Sequence, residues 1–427
     1  MLLLDFLYIL VIILSLPLWL KFLFKKEYRL ILKHRLSPEI KPGKKKRIWI
    51  HAVSVGEVKS LRSLIGQLVS TDDRDVVLSV TTPSGFEFAK KEYGDLNVRV
   101  INAPLDFSFT IKTFIKKVNP AILILNELEI WPNWILKTKK ANIPILLING
   151  RISERAFKRY KFFSFFLKHF VKRIDLFLVQ AGIYKEKFAQ LEIPPERIVV
   201  CGNIKADTAY DASRALPPGE EIWAYLKTGK NRNKKKILTL ASSHLSDENI
   251  VIPAINRLRE AYSVIIVPRH LNRIEEIERL LVEQKVTFAR WSQVGSFDIG
   301  EQTLIFDKMG YLFNIFKISD IVLMGGTFDS KVGGHNLYEP AVLGKLIVGG
   351  PCYNNFPDIG RELVNRGVYK IITDQNRLVE LLLNRETIDF GSVKKQAVEA
   401  VSRRRGSVNC IMKEIQTLIS SFVEADL

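Results

Sequence analysis

The stretch that decides the fold reads Ile321-Val322-Leu323-Met324-Gly325-Gly326 and continues, after a short polar segment, as Gly333-Gly334-His335-Asn336-Leu337-Tyr338-Glu339-Pro340. The first run is apolar and ends in glycines, which predicts a buried strand followed by a tight turn. Pro340 fits only the first turn of a helix, so a helix is expected to begin within Asn336–Glu339. The sequence therefore predicts a strand–loop–helix unit with a glycine-rich connection.

The same stretch also carries chemistry. Glycine lets the backbone approach a ligand closely, and a helix start offers free N–H groups to an anion. The Glu339 carboxylate could accept hydrogen bonds from the diol of a ribose beside such an anion. An anion site and a ribose site together would form a nucleotide-sugar pocket. Asn336-x-x-Glu339 is equally the pattern of a helix N-cap. Gly334 and His335 directly precede this pattern. A cap does not need them, so they favour the ligand interpretation.

Strands and helices alternate along most of the chain, which predicts parallel α/β sheets. A length of 427 residues favours two domains. We expect a membrane anchor at 1–24, a basic linker at 25–46, a Rossmann-like domain at 47–210, a linker at 211–235, and a second Rossmann-like domain at 236–427 that includes a terminal helix. The predicted strands are Arg47–Ala52, Val76–Val80, Val98–Ile101, Ala121–Leu125, Ile145–Ile148, Leu176–Val179, Lys236–Leu240, Ser263–Val267, Thr303–Phe306, Ile321–Met324, Leu346–Val348 and Tyr369–Ile372.

The chain carries 64 basic and 45 acidic residues, a net charge of +19. This excess indicates an anionic partner, and no nucleic-acid-binding module is recognisable in the sequence. Three widely spaced cysteines show neither metal-ligand spacing nor a disulfide framework, which favours a reducing compartment.

The N-terminal sequence indicates that the anionic partner is a membrane. Phe6–Leu20 is uncharged and apolar, somewhat short for a spanning helix of about 20 residues. Basic residues follow it, which places the bulk of the protein on the cytoplasmic side by the positive-inside rule. We therefore expect an N-terminal helix in a membrane, either crossing it or lying at its surface, with anionic lipids as partners.

In the first half, the loops after the strands hold the candidate residues. Ligands of open α/β sheets bind beyond the carboxyl ends of the strands. Glu57 opens a helix directly after the first strand and is a candidate general base, although Ser54-x-x-Glu57 is also a capping pattern. Glu127 follows the fourth strand, and Lys205 lies near the domain boundary, where it could reach a phosphate across a cleft. Further residues expected on the acceptor side are Ser54, Gly56, Thr82, Ser84 and Gly85.

In the second half, three more strand ends carry polar residues. Ser243 and His244 follow one strand, and Pro268-Arg269 follows the next, with an arginine suited to a phosphate. The backbone of Met309-Gly310-Tyr311 could contact the nucleobase of a nucleotide. The sequence has one close match to a metal-binding Asp-x-Asp, Asp73-Arg74-Asp75, and it precedes a strand. We therefore expect no metal and no cofactor, with leaving-group charge met by cationic side chains and helix N-termini.

In chain order, the motifs HAVSVGE, TTPSG, ELEIWPN, NGRISER, GNIKAD, ASSH, PRH, DKMG and GGHNLYEPAVLGKLIVGGP resemble the Kdo transferases of Gram-negative lipopolysaccharide synthesis. The likeness spans nearly the whole chain. It implies a GT-B glycosyltransferase, with two Rossmann-like domains facing a cleft and an N-terminal membrane helix. It also implies metal-independent, inverting transfer of Kdo from CMP-Kdo to a lipid A precursor.

The resemblance also assigns roles to residues. Glu57 matches the catalytic base, and Glu127 and Lys205 match positions that stabilise the transition state. The CMP site matches Pro268-Arg269, Met309-Gly310-Tyr311 and Asn336–Glu339. Tyr311 stands where the family usually has glutamate, a change that a backbone contact would tolerate.

Two other classes of function fit the pattern of strands and loops. One is a different GT-B enzyme that uses a UDP-sugar, either a transferase or an epimerase. The other is a membrane-bound binding protein without catalysis. The preference for CMP over UDP, and any turnover of CMP-Kdo, would separate these hypotheses.

Overall fold

The structure is a computed structural model that describes residues 2–23, 26–214, 235–293 and 302–425. The chain forms two compact units, Met1–Thr208 with Arg405–Leu427, and Ala209–Arg404. The expected second domain, 236–427, therefore differs from the structure at its end, since the terminal helix belongs to the first unit. Most of the expected linker at 211–235 lies outside the described residues.

The first unit contains a seven-stranded parallel sheet in the order β3-β2-β1-β4-β5-β6-β7. The order reverses between β1 and β4, which pair in register with His51 opposite Leu125. This reversal is the switch point at which open α/β sheets bind ligands. The strands are β1 Arg47–Ala52, β2 Val76–Val80, β3 Val98–Asn102, β4 Pro120–Asn126, β5 Ile145–Gly150, β6 Leu176–Val179 and β7 Ile198–Val200.

Helices cover both faces of this sheet. They are α1 Leu2–Leu23, α2 Lys26–Leu36, α3 Val55–Ser60, α4 Arg62–Thr71, α5 Pro83–Tyr93, α6 Ser108–Val118, α7 Pro132–Lys140, α8 Glu154–Phe162, α9 Ser164–Val171, α10 Gly182–Gln190 and α11 Ile204–Arg214, with a 3-10 turn at Pro195–Arg197.

The N-terminal segment forms the expected helix, α1. Its Asp5 carboxylate accepts hydrogen bonds from the Ser108 backbone N–H at 2.9 Å and from Asn133 Nδ2 at 3.0 Å, and the Tyr8 hydroxyl donates to Asp106 at 2.7 Å. No helix within the described residues combines the length and apolar character needed to cross a membrane. The predicted membrane-spanning anchor is therefore not supported.

Successive residues of the buried strands point to opposite faces, so the first unit has two cores. Trp49, Leu123 and Leu147 lie in one core, and Ile50 and Ile124 lie in the other. The terminal helix, α20, Ser407–Ala425, packs onto the second core. It does so through an apolar stripe at helical spacing, Val408, Ile411, Met412, Ile415 and Ile419.

Two further contacts tie α20 to the first unit. The Asp207 carboxylate accepts hydrogen bonds from the backbone N–H groups of Gly406, at 2.8 Å, and Val408. Cys201 and Cys410 form a disulfide, with their Cα atoms 5.5 Å apart. The expectation that no disulfide forms is wrong, because the two cysteines are 209 residues apart in sequence and only the folded chain brings them together.

The second unit contains another seven-stranded parallel sheet, in the order β10-β11-β9-β8-β12-β13-β14. Its switch point lies between β8 and β12, where Ala241 is opposite Met324. The strands are β8 Lys236–Ser243, β9 Tyr262–Pro268, β10 Phe288–Arg290, β11 Thr303–Ile305, β12 Ile321–Met324, β13 Leu346–Gly349 and β14 Tyr369–Ile371.

The helices of the second unit are mostly short. They are α12 Leu245–Val251, α13 Ile255–Leu258, α14 Ile274–Glu283, α15 Leu312–Ile318, α16 Tyr338–Val342, α17 Pro357–Asn365, α18 Gln375–Leu383 and α19 Phe390–Ser402, with 3-10 turns at Ile252–Ala254, Leu271–Arg273, Trp291–Gln293 and Arg385–Thr387.

Candidate functional site

The switch point of the first sheet places Glu57 beside the end of β4. Glu57 is the third residue of α3, which follows β1, and Asn126 is the last residue of β4. Because β1 and β4 are neighbours, the two side chains meet, and Asn126 Nδ2 donates to Glu57 Oε2 at 3.3 Å. The sequence prediction that Glu57 opens a helix at a strand end is confirmed.

Three more contacts hold the Glu57 side chain. The Val53 backbone N–H donates to Oε2 at 3.0 Å, and the Ser54 hydroxyl donates to Oε1 at 3.3 Å. The Ser54 hydroxyl oxygen in turn accepts from the Glu57 N–H at 3.4 Å. The capping interpretation of Ser54-x-x-Glu57 is thus also correct, with the carboxylate reaching Val53 one residue before the N-cap.

Burial governs the ionisation of Glu57. Loss of hydration, together with the negative charges of Glu127 and Glu129, raises the pKa of this carboxyl to about 7. Hydrogen bonds from Val53 and Asn126 oppose the shift. A half-buried carboxyl with a pKa near neutrality can accept a proton from a hydroxyl and later release it, as general base catalysis requires.

Glu127 lies directly after β4 with a φ of 59°, a left-handed conformation that is uncommon for a residue with a side chain. Its carboxylate lies between two cations, with Arg151 Nε 3.1 Å from Oε2 and Lys205 Nζ 3.8 Å from Oε1. Lys205, near the start of α11, therefore lies beside the loop that carries Glu127. Its role in transfer stays a prediction.

The residues expected on the acceptor side follow β1 and β2. Thr82 is the N-cap of α5, and its hydroxyl donates to the Val53 carbonyl at 2.9 Å. A Cβ on Gly85 would lie 3.2 Å from the Ser54 carbonyl carbon and closer still to Thr82 and Val80, so α5 approaches this loop closely only because residue 85 is glycine. Gly56 and Ser84 are exposed at the same edge. Their contact with an acceptor stays a prediction.

In the second unit, His244 and His335 meet at the switch point. His244 follows β8 and caps α12, and its Nε2 lies 2.9 Å from Nε2 of His335, in the loop after β12. One ring must donate and the other accept, so the pair shares one proton. Burial and, to a lesser extent, the positive charge of Arg269 lower the pKa of both imidazoles, that of His335 to about 3.

Arg269 follows the β9 residue Pro268 and is exposed. Its charge acts on both histidines, so the three residues lie at one edge of the sheet. Ser243, at the end of β8, donates through its hydroxyl to the fully buried Glu248 at 2.8 Å. Glu248 is paired with Arg273 at 2.8 Å, so Ser243 belongs to a buried polar network behind this edge.

The glycine-rich loop has the expected form. The helix α16 begins at Tyr338, within the predicted range, and the Asn336 side chain accepts from the Tyr338 N–H at 3.1 Å. Gly334 has a φ of 78°, and its N–H donates to the Gly326 carbonyl at 2.8 Å. Glu339 is buried in the first turn. With five residues, α16 is too short for a large dipole, so nearby cationic side chains are better placed than the helix to bind an anion.

Met309-Gly310-Tyr311 forms the loop after β11. Gly310 has a φ of 93° and is exposed, and Met309 is also exposed. Tyr311 packs edge-on against Phe306, with ring centroids 5.9 Å apart. The side chain that replaces the family's usual glutamate is therefore part of the hydrophobic packing, while the glycine backbone remains accessible.

Sequence reasoning missed two polar residues at the first site, Asn126 and Arg151. Both stand at the carboxyl ends of strands, Asn126 closing β4 and Arg151 following β5. Ligands bind beyond the carboxyl ends of strands, and this rule, which identified Glu57 and Glu127, also applies to Asn126 and Arg151. Asp73-Arg74-Asp75 precedes β2 and lies at the opposite edge of the sheet, as expected.

Comparison with known proteins identifies the family. Residues 28–208 match the family model of the 3-deoxy-D-manno-octulosonic-acid transferase, kdotransferase. The chain is 31% identical over 332 residues to a 3-deoxy-D-manno-octulosonic acid transferase of Chlamydophila psittaci, covering 78% of this chain and 75% of that protein. It is 30% identical over 415 residues to a bifunctional glycosyltransferase/methyltransferase of Fusobacterium nucleatum, covering 94% of this chain and 64% of that longer protein.

A solved structure confirms the fold class. The crystal structure of UDP-GlcNAc 2-epimerase from Neisseria meningitidis, bound to UDP-GlcNAc, matches with a TM-score of 0.60 and 13% identity, over 87% of this chain and all of that one. At this identity the match shows the fold alone, two parallel-sheet α/β units. With the relatives above, the resemblance in the motifs is confirmed. The chain belongs to the 3-deoxy-D-manno-octulosonic acid (Kdo) transferase family and is a glycosyltransferase.

Proposed function

We propose that this glycosyltransferase moves Kdo from CMP-Kdo to a hydroxyl of a lipid A precursor, with inversion at the anomeric carbon and with Glu57 as the general base. The observation that carries the proposal is the half-buried carboxylate of Glu57 at the switch point, with a pKa raised to about 7. At neutral pH a large fraction of such a group is ionised and able to accept a proton.

The first unit supplies the proton acceptor and its charged neighbours. As the acceptor hydroxyl attacks the anomeric carbon, its proton passes to Glu57, and the bond from that carbon to the CMP phosphate breaks. The transition state has oxocarbenium character, by analogy with glycoside hydrolysis. Glu127 and Lys205, which lie 3.8 Å apart, stabilise the charges that develop.

The second unit supplies the donor-binding residues. Arg269 is exposed beside the histidine pair and can bind the CMP phosphate. The backbone of Gly310 and Gly334 and the side chains of Asn336 and Glu339 bind the nucleoside. Because the shared His244–His335 hydrogen bond already fixes both rings, this edge is organised before the donor arrives.

Charge neutralisation by side chains removes the need for a metal, so we propose that transfer is metal-independent. Residual activity after exhaustive treatment with EDTA supports this proposal. A loss of activity that added Mg²⁺ or Mn²⁺ restores would contradict it.

We also propose that the enzyme works at the cytoplasmic face of the inner membrane, where a lipid acceptor is available. Two apolar surfaces of the first unit support this. The outer face of α1 exposes Phe6, Val11 and Leu14, and the α8–α9 segment exposes Phe162 and Phe165, with 82% and 88% of their surfaces accessible. A net charge of +19 favours anionic lipids.

Vesicle flotation tests this localisation. Phe162→Ser with Phe165→Ser should reduce binding to vesicles that contain phosphatidylglycerol, while Leu383→Ser, at an exposed position of the second unit, should not. Equal flotation of the unaltered protein, the double Phe variant and Leu383→Ser would contradict the role of the α8–α9 surface.

Mass spectrometry of the product tests the function itself. Purified protein with CMP-Kdo and a lipid A precursor should give the acceptor plus Kdo. In a binding assay, CMP should be preferred over UDP. Turnover of a UDP-sugar with no reaction of CMP-Kdo would refute the proposal and favour another enzyme of the same fold.

A further inference from the structure

The conformation of Glu127 is maintained by its neighbours on β5. Its φ of 59° places the backbone in the left-handed region, which is uncommon for a residue with a side chain. The Glu127 N–H donates to the Ile148 carbonyl at 3.0 Å, which continues the pairing of β4 with β5. The carboxylate then turns towards Arg151, three residues beyond the end of that pairing. The loop is therefore fixed at both its backbone and its side chain.

Arg151 is the closer of the two cations at Glu127. Its Nε lies 3.1 Å from Oε2, within hydrogen-bond distance, whereas Lys205 Nζ lies 3.8 Å from Oε1. The Arg151 and Glu127 side chains are 31% and 17% exposed, so solvent screens their interaction only partly. A charge-assisted hydrogen bond at this distance both orients a carboxylate and offsets its charge.

Groups from four elements surround Glu57 and its neighbour Glu127. Glu127 and Glu129 come from the loop after β4, Arg151 follows β5, and Lys205 comes from α11. The fourth element is the start of α3 itself, which contributes the Val53 N–H and the Ser54 hydroxyl. Of these groups, the negative charge of Glu127 is the largest electrostatic influence on Glu57, and Arg151 acts directly on that charge.

We propose that Arg151 is a positioning residue of the transferase, which fixes the Glu127 carboxylate and offsets its charge beside the base Glu57. This inference rests on the proposed roles of Glu57 and Glu127. Arg151 acts through Glu127 and does not touch the substrate in this account. Its removal would leave Glu127 with Lys205 as its cationic neighbour and would make Glu57 harder to ionise.

The pH dependence of kcat/KM tests the inference. In Arg151→Gln the acidic limb should move up by roughly one pH unit, the size expected for one charge at close range in a partly solvated site. Arg151→Lys keeps the charge without the same hydrogen-bond geometry and should restore part of the shift. Arg99→Gln, which removes an exposed arginine of β3 in the same unit, should leave the limb in place.

A double variant tests whether Arg151 acts on Glu57 through Glu127 or only through the loss of a positive charge. Once Glu127→Gln is present, adding Arg151→Gln should no longer move the ionisation of Glu57. Because Glu127 variants can lose activity, the ionisation is also read by carbon-13 NMR of glutamate carboxyl groups in the full chain, with Glu57 assigned by comparison with Glu57→Gln. Thermal melting confirms that each variant is folded.

Two results would overturn the inference. One is a loss of kcat in Arg151→Gln at every pH with an unshifted limb, and the other is a shift that persists in the Glu127→Gln background. The proposed function is judged separately, by Kdo transfer in the unaltered enzyme. If that enzyme transfers Kdo while Arg151→Gln behaves like Arg99→Gln, only the role of Arg151 is refuted.

Discussion

Replacing Glu57 with Gln should inactivate the enzyme and stabilise it, and the stabilisation should depend on pH. Gln keeps the shape and can still accept from the Val53 and Asn126 N–H groups and donate to Ser54, so the contacts of this side chain survive. What disappears is the ionised carboxylate in a half-buried site. Loss of a general base reduces kcat by roughly 10²–10⁴-fold.

The magnitude of the stabilisation follows from the pKa. Burial raises the pKa of Glu57 from 4.5 to about 7, so the folded state binds the proton more tightly than the unfolded state. Stability is therefore lost as pH rises from 4.5 to about 7, because the folded chain keeps a proton that the unfolded chain has released. A shift of this size corresponds to about 3 kcal/mol.

Urea unfolding and calorimetry at pH 5 and pH 8 measure this effect. At pH 8, Glu57→Gln should be more stable than the unaltered protein by about 3 kcal/mol, and the transition of the first unit should rise by about 6–12 °C. At pH 5 most of the difference should vanish. Glu87→Gln, at an exposed position of α5, is the matched control. A stability difference that is the same at both pH values would refute the argument from burial.

Three further predictions concern the donor, the base and the terminal helix. Arg269→Ala should raise KM for CMP-Kdo by roughly 10–100-fold with a smaller effect on kcat, whereas Arg259→Ala, on the exposed surface, should behave as the unaltered enzyme in the same steady-state assay. The acidic limb of kcat/KM should report an ionisation near pH 7, the pKa of Glu57, and a limb below pH 5 would contradict its role. Cys410→Ser should lower the stability of the first unit by about 2–5 kcal/mol in urea, while Cys352→Ser should not, and equal midpoints would show that the disulfide adds nothing.

The long buried strands could be predicted from sequence, since a continuous apolar run dictates them. Arg47–Ala52, Val76–Val80 and Ile321–Met324 were placed with correct bounds. The strands Ile198–Val200 and Phe288–Arg290 were missed. Each has three residues and lies at the edge of its sheet, so neither forms an apolar run as long as that of a central strand.

The helix predicted to open at Glu57 is broken at Leu61 into α3 and α4. At the break, the Val58 carbonyl accepts from the Tyr93 hydroxyl at 2.8 Å, and the Ser60 carbonyl accepts from the Thr208 hydroxyl at 2.9 Å. Both partners are distant in sequence. No local pattern could indicate the break, because its cause lies in tertiary contacts.

The terminal helix shows the same limit on a larger scale. Its apolar stripe is visible in the sequence, but the stripe does not say which core it joins. Asp207 and Cys201 decide this by holding residues 406–410 to the first unit. Lys205 lies between these two tethers. The position of the lysine at the candidate site thus depends on a helix that comes 200 residues later in the sequence.

Capping and catalysis were alternatives for Glu57 in the sequence, and a comparison within the molecule shows why they are compatible. His244-x-x-Asp247 is also a strand-end capping box, and burial raises the pKa of Asp247 to about 6. The Asp247 side chain accepts from the backbone N–H groups of His244 and Gly326, at 2.8 and 2.7 Å, and has no exposed surface. A raised pKa therefore does not by itself distinguish a base from a structural carboxyl.

Accessibility and partners do distinguish them. Glu57 keeps part of its surface exposed, and its neighbours include the Asn126 amide and the Glu127 and Glu129 carboxylates from another strand end rather than backbone donors alone. In both motifs the cap fixes the carboxylate at the carboxyl edge of a sheet. At Glu57 that edge remains open to a hydroxyl, so the cap provides the positioning on which the proposed base depends.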